Sequence, residues 1–239
     1  MVAVPAGQAL LGCNPSVDNE CEEDENPGGL IELAAFEIDA TEVTVARYRA
    51  CVEAKGCSAE NLDLPSTGEQ EQPELKWTCN WGQPDRDRHP INCVSWEAAV
   101  AYCKWAKKRL PTPREWERAA RGTDGRKFPW GNEPVKAEAQ ANLSDKTLLE
   151  SGPDRWGLRE YDDGFLSTSP VGSFPQGISP AGAMDMAGNV WEFVDAGDAN
   201  RHEMRGGAWS YYPIALRCSD KAYAPNGRRN GDTGFRCAR

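Results

Sequence analysis

Nine cysteines stand in a chain of 239 residues, and six of them fall in three close pairs: Cys13 with Cys21, Cys51 with Cys57, and Cys79 with Cys93. None shows the CxxC…CxxC spacing of a structural zinc site. His89 and His202 are the only histidines, too few to supply a zinc or non-haem iron cage. The cysteines are therefore read as disulfides made in an oxidising compartment, with at least one thiol left over by the odd count. The 23 glycines and 17 prolines are spread along the chain and break most segments before they grow long. These features predict one domain over 1–239, rich in irregular structure, with a few helices and no internal repeat.

Hydrophobic residues make up 39% and charged residues 27%, a globular balance. No run of about 18 apolar residues is present, so no membrane span is predicted. Residues 1–12 lack the basic start and long apolar stretch of a secretion signal, so an exported form would need a leader that this stretch does not supply. A net charge of −10 argues against nucleic acid as a partner, because that role needs a concentrated basic face. The acidic run Glu20-Cys-Glu-Glu-Asp-Glu25 reads as a solvated loop held by a cysteine pair.

Segment 31–39 has the apolar pattern of a strand. Thr41–Thr44 opens a helix on which Val43, Ala46, Arg47, Ala50 and Cys51 keep helical spacing, with Gly56 as its stop. The clearest helix is 95–107, capped by Ser95, with Trp96, Ala99, Val100, Cys103 and Ala106 or Lys107 as its buried stripe. Thr112-Pro-Arg-Glu115 fits a capping box with proline at the first helical position; Trp116, Ala119 and Ala120 then face inward and Gly122 ends the helix. Further on, Trp130, Trp156, Trp191 and Trp209 punctuate glycine-rich loops. Large aromatics on loops need the surrounding backbone polar groups satisfied by side chains, water or metal, which makes bound cations physically reasonable in this half.

Several segments share one order: Val4–Gly7, Phe36–Thr44, His89-Pro90, Val94–Trp96, Ala101–Cys103, Arg109–Thr112 with Glu115–Glu117, Pro129–Asn132, Ala141-Asn142 and Pro170–Gly172. They lead to Asp185-Met-Ala-Gly-Asn-Val-Trp-Glu192, Arg205-Gly-Gly-Ala-Trp209 and Gly234-Phe-Arg-Cys-Ala-Arg239. Together they resemble the formylglycine-generating enzyme family, the sulfatase-modifying-factor domain, along almost the whole chain. The resemblance implies a compact α+β architecture of the C-type-lectin-like kind. It also implies a bridge between Cys103 and Cys237. Its other bridge would join Cys218 to a helix position that here is Ala119 or Ala120, which leaves Cys218 without that partner. A Cys93–Cys218 pair, leaving Cys79 free, is the alternative.

The resemblance implies two structural calcium sites. One takes Asn142 and Asp163 with the carbonyls of Leu143 and Phe165. The other takes Asp185 and Glu192 with the carbonyls of Gly188 and Val190. Both donor sets contain oxygen only, as calcium prefers, and Gly188 lets the backbone come close to an ion. The family's oxidases hold copper through two cysteines after the Gly-Gly pair, and a thiolate pair is what Cu(I) selects. Between Gly207 and Cys218 this chain has no cysteine. No copper is expected, and no formylglycine-generating activity. The family's sulfur-coupling branch uses iron held by three histidines, which two histidines cannot provide. No GxSxG elbow is present, and the Asp162-Asp163 pair falls in the calcium turn, so no catalytic residue is assigned.

Trp209, Ser210, Tyr211, Tyr212, Tyr223, Asn226, Arg228 and Arg229 mix aromatic, amide and guanidinium groups, a composition suited to recognition. In relatives this stretch lines the substrate groove. The sequence is read as an extracytoplasmic ligand-binding or accessory module for an unidentified peptide, protein or small molecule. An enzyme reusing the groove for another oxidation or modification, and a diversified receptor with a variable C-terminal surface, are the alternatives.

Overall fold

The computed structural model describes residues 1–25, 28–67, 71, 73–136, 140–151 and 157–239. Trp156 lies outside the described residues. The N-terminal strands are β1 (Val2–Val4), β2 (Gly7–Leu11), β3 (Gly29–Leu33) and β4 (Phe36–Ile38). Helix α1 (Val45–Glu53), strand β5 (Ser66–Thr67), and helices α2 (Trp96–Trp105), α3 (Pro113–Arg121) and α4 (Lys146–Glu150) follow. The C-terminal strands are β6 (Trp191–Phe193), β7 (Arg201–Arg205), β8 (Lys221–Pro225), β9 (Arg228–Arg229) and β10 (Thr233–Gly234). No described helix is long and apolar enough to cross a membrane.

The central sheet runs β10-β6-β7-β8. β10 lies parallel to β6, with Thr233 opposite Trp191. β7 pairs antiparallel with β6, Glu192 opposite Arg205, and with β8, His202 opposite Ala224. Three two-stranded pairs surround it: β1 with β4, β2 with β3, and β5 with β9. The single strand expected over 31–39 is two strands, because β3 pairs with β2 while β4 pairs with β1. Different partners cannot share one straight run of backbone, so the chain turns at Ala34-Ala35.

Two apolar cores flank the sheet. One joins α1 and α2, where the rings of Tyr48 and Tyr102 stack at 5.6 Å. The stripe expected on α1 is displaced: Ala46, Arg47 and Ala50 are exposed, and Val45, Tyr48 and Cys51 carry the contact. Thr44 caps this helix by accepting from Arg47 N, which starts it one turn later than the apolar pattern suggests. On α2, Ser95 is the N-cap as expected, and Ala99, Tyr102 and Cys103 are buried; Trp96 and Val100 are half-buried and Lys107 lies exposed beyond the helix end. The second core gathers under α3, whose capping box between Thr112 and Glu115 is complete in both directions. Trp116, Ala119 and Ala120 are fully buried there, against Ile38, Met186 and Val194.

Four disulfides form: Cys13–Cys21, Cys51–Cys57, Cys79–Cys93 and Cys103–Cys237. They fit an oxidising compartment. Cys218 remains a buried thiol, so the Cys93–Cys218 alternative is not realised. The acidic run is not fully solvated. Glu25 is buried, and its carboxylate meets the guanidinium of Arg217 at 2.8 Å. An unpaired carboxylate could not be held there; the arginine draws it in.

Candidate functional site

Asn142 enters the core just after Ala141, whose amide and carbonyl both bond the Tyr161 hydroxyl. Its side-chain nitrogen donates to Ser167 O at 2.8 Å, while its buried Oδ1 has no partner. Asp163 accepts from the amides of Leu143 and Phe165, both at 2.9 Å. Burial, opposed by those two amides, pushes the Asp163 carboxyl up to about 7. Leu143 and Phe165 thus meet at the Asp163 carboxylate through their amides, and the orphaned amide oxygen belongs to Asn142, the residue just before Leu143. A buried acceptor without a partner costs free energy, which a hard cation would recover. These residues fit calcium.

The second set is built on a left-handed backbone. Asp185, Gly188 and Asn189 have φ of 56°, 79° and 60°. At Gly188 a Cβ would stand 2.1 Å from the carbonyl oxygen of Asn142, so only glycine lets the two loops touch. That contact is closed by the Asn189 amide donating to the same oxygen at 2.9 Å, which ties the two sets together. Asp185 accepts from Gly172 N through Oδ2, and its buried Oδ1 has no partner. Glu192 is engaged: Arg236 donates to both of its oxygens at 2.7 Å, and Trp116 Nε1 adds a third bond at 2.7 Å.

Glu42 completes this cluster, and the sequence reading did not assign it. It is fully buried, and its Oε2 is orphaned like Asp185 Oδ1. Burial first, then the negative charges of Asp185 and Glu192, hold its carboxyl well above the usual range. Three carboxylates therefore face one guanidinium in a space closed to water. A divalent cation beside Glu42 and Asp185 would balance that charge, so this donor set also fits calcium. Glu42 and Arg236 both lie inside the segments that carry the family resemblance, and that position was the available signal for them.

The eight residues expected to bind ligand divide into neighbourhoods. Trp209 is buried, bonded through Nε1 to Gly231 O and tilted against Trp77 at 6.2 Å. Tyr211 and Tyr212 are exposed beside it, and Tyr211 meets Trp191 edge-on at 5.4 Å. Although the side chain is partly exposed, desolvation by the groups packed around it raises the Tyr211 hydroxyl, helped by the charge of Asp232 and opposed by Arg228. Arg228, half-buried, approaches Asp232 to 3.9 Å. Ser210 is half-buried between these aromatics in the chain. Tyr223 instead lies under Arg201, whose guanidinium carbon is 3.9 Å from its ring centre, and Asn226 bonds Ala199 O. Arg229 turns to Leu64 O. Tyr211 and Arg228 thus meet, with Trp209 buried nearby in the chain, while Tyr223 and Asn226 belong to the end of the β7–β8 hairpin.

Across the 207–218 segment the only sulfur is Cys218, fully buried behind α3. Burial pushes its thiol up to about 12.

The sulfatase-modifying factor enzyme 1-like domain model matches residues 1–239. The chain belongs to this family. A formylglycine-generating enzyme of Thermomonospora curvata is 34% identical over 224 residues, covering 81% of this chain and 70% of that one. The Bos taurus protein named inactive C-alpha-formylglycine-generating enzyme 2 is 32% identical over 241 residues, covering 87% of this chain and 76% of its own. Among solved structures, that of PvdO from Pseudomonas aeruginosa superposes with a TM-score of 0.77 at 26% identity, over 99% of this chain and 92% of that chain. As a sulfatase-modifying-factor-like protein, the chain keeps the family's mixed helix and strand scaffold.

Proposed function

We propose that this family member is a copper-free, calcium-braced ligand-binding or accessory protein acting outside the cytoplasm on a C-type-lectin-like scaffold. One observation carries the reading: eight of the nine cysteines are consumed in disulfides, and the ninth is buried with its proton held tightly. Cu(I) needs a pair of accessible thiolates, and this chain offers none.

Asn142, Asp163, Leu143 and Phe165 would hold one calcium ion. Asp185, Glu42 and the carbonyls of Gly188 and Val190 would hold the other, with Glu192 bound to Arg236 behind them. Calcium there supplies charge compensation and loop cohesion. Tyr211, Tyr212 and Arg228 then present an aromatic and guanidinium face to a peptide, protein or small molecule, with Trp209 buried in the same segment.

Metal analysis of the purified protein, with oxygen uptake measured on a cysteine-containing peptide, tests the reading. Bound calcium, no stoichiometric copper and no uptake are expected. Turnover with a redox metal would overturn it.

A further inference from the structure

His202, the second residue of β7, is more than nine-tenths buried, and its imidazole lies flat on the indole of Trp96, with ring centres 4.5 Å apart and planes 4° apart. Its Nε2 has no hydrogen-bond partner. These two rings line a cleft of about 340 Å³ between the start of α2 and the loop before β7, together with Glu97, Asp195, Asp198 and Asn226. Glu97 Oε1 stands 3.6 Å from the orphaned nitrogen.

The cleft is acidic. Of the arginines nearby, Arg201 lays its guanidinium over Tyr223 and comes no closer than 3.7 Å to Asp198 through Nε, so it shares that carboxylate without saturating it. Arg109, whose charge Asp195 also feels, is bound through two nitrogens to Glu115. Three carboxylates beside an indole, with a buried imidazole nitrogen that has no hydrogen-bond partner and lies 3.6 Å from Glu97, describe a receptor for a cation with N–H donors and an apolar stem. A compact metal centre fits less well. Among the described residues, the group of three ligand side chains drawn within 4.8 Å is Asp18, Cys21 and Glu25, not this one.

We propose that this cleft binds an alkylguanidinium or alkylammonium group, its N–H donors shared between Glu97, the loop carboxylates and His202 Nε2, its stem against Trp96. The site shares no residue with the ligand face proposed above, so either can fail without the other.

The chain's two histidines make the test direct, because His89 is an internal control. Imidazole NMR signals of the full chain are followed during titration with agmatine and, separately, with a blocked Gly-Arg-Gly peptide. A saturable shift of His202 with His89 unmoved is expected. Added sodium chloride should weaken it, and the Glu97→Gln/Asp198→Asn variant should weaken it about tenfold. Glu97 and Asp198 are solvent-facing, so the variant keeps the fold. Tighter binding of the peptide supports a polypeptide side chain as the natural cation; equal or tighter binding of agmatine supports a free small molecule. No saturable shift at millimolar ligand, an unchanged shift in the double variant, or a response to zinc but not to agmatine would overturn the proposal.

Discussion

Arg217 and Glu25 are 192 positions apart and meet as a two-armed ion pair, Nη1 to Oε2 at 2.9 Å and Nη2 to Oε1 at 2.8 Å, with neither side chain touching solvent. Asp18 joins at 3.0 Å. The arginine thereby fastens the acidic N-terminal loop beneath the segment before Cys218. Removing it strips buried Glu25 of its cation and leaves Asp18 only Lys127, at 3.2 Å, so Arg217→Met should cost about 3–5 kcal/mol. Adding Glu25→Gln should restore part of that loss. Urea denaturation checks both, with a lowered midpoint and an unchanged slope.

Cys103 and Cys237 link α2 to the C-terminal segment across a sequence separation of 134. A loop of that size lets the unfolded chain recover much entropy when the bond is cut. The variant Cys103→Ser/Cys237→Ser should lose about 4–5 kcal/mol by the chain-entropy model. The Cys51→Ser/Cys57→Ser variant, closing a separation of 6, should lose less. Thermal melts of the two double variants beside the parent measure the difference. Equal losses would show that strain relief or residual structure, not loop entropy, sets the stabilisation.

Local rules made much of this fold legible. Ser95, and Thr112 with Glu115, announce their helices because capping is a contact within one turn. The three short disulfides were visible for a similar reason: their partners are neighbours in the chain. What escaped was set by distant partners. The burial of Glu25 depends on Arg217, and the split of segment 31–39 depends on β1 and β2. The candidate cation site shows both cases. Asp185 and Gly188 were implied by the family resemblance, but Glu42 arrives from the entry to α1 and shows its role only through an orphaned oxygen in the folded chain.

If calcium occupies the two oxygen sets, its removal should loosen the loops around Asn142 and Asp185. Chelation should lower the melting temperature, and calcium should restore it more effectively than magnesium, which resists giving up its water shell. Calcium at about a hundredfold over its dissociation constant should add about 2.7 kcal/mol per site. Asn142→Ala and Glu42→Gln should each remove one site's share of that increment while the four disulfides stay intact. Calorimetric scans with and without chelator read the effect; a melting temperature indifferent to calcium would refute it.

His89 supplies the pH prediction. Burial, reinforced by Arg86, pushes its imidazole down to about 4. Its Nδ1 lies 3.0 Å from Arg86 Nη1, and a guanidinium only donates, so this nitrogen carries no proton. Thr168 Oγ1, also at 3.0 Å, completes the pocket. In the unfolded chain the ring titrates near an ordinary ~6.5. Between those values the unfolded state binds more protons, so stability present above ~6.5 should fall as pH drops towards 4. The His89→Gln variant should lack that component. Urea midpoints from pH 7 to pH 4, compared between parent and variant, isolate it. Imidazole NMR of the parent should show His89 neutral through pH 5, and an ordinary titration there would remove the cause assigned to the acid sensitivity.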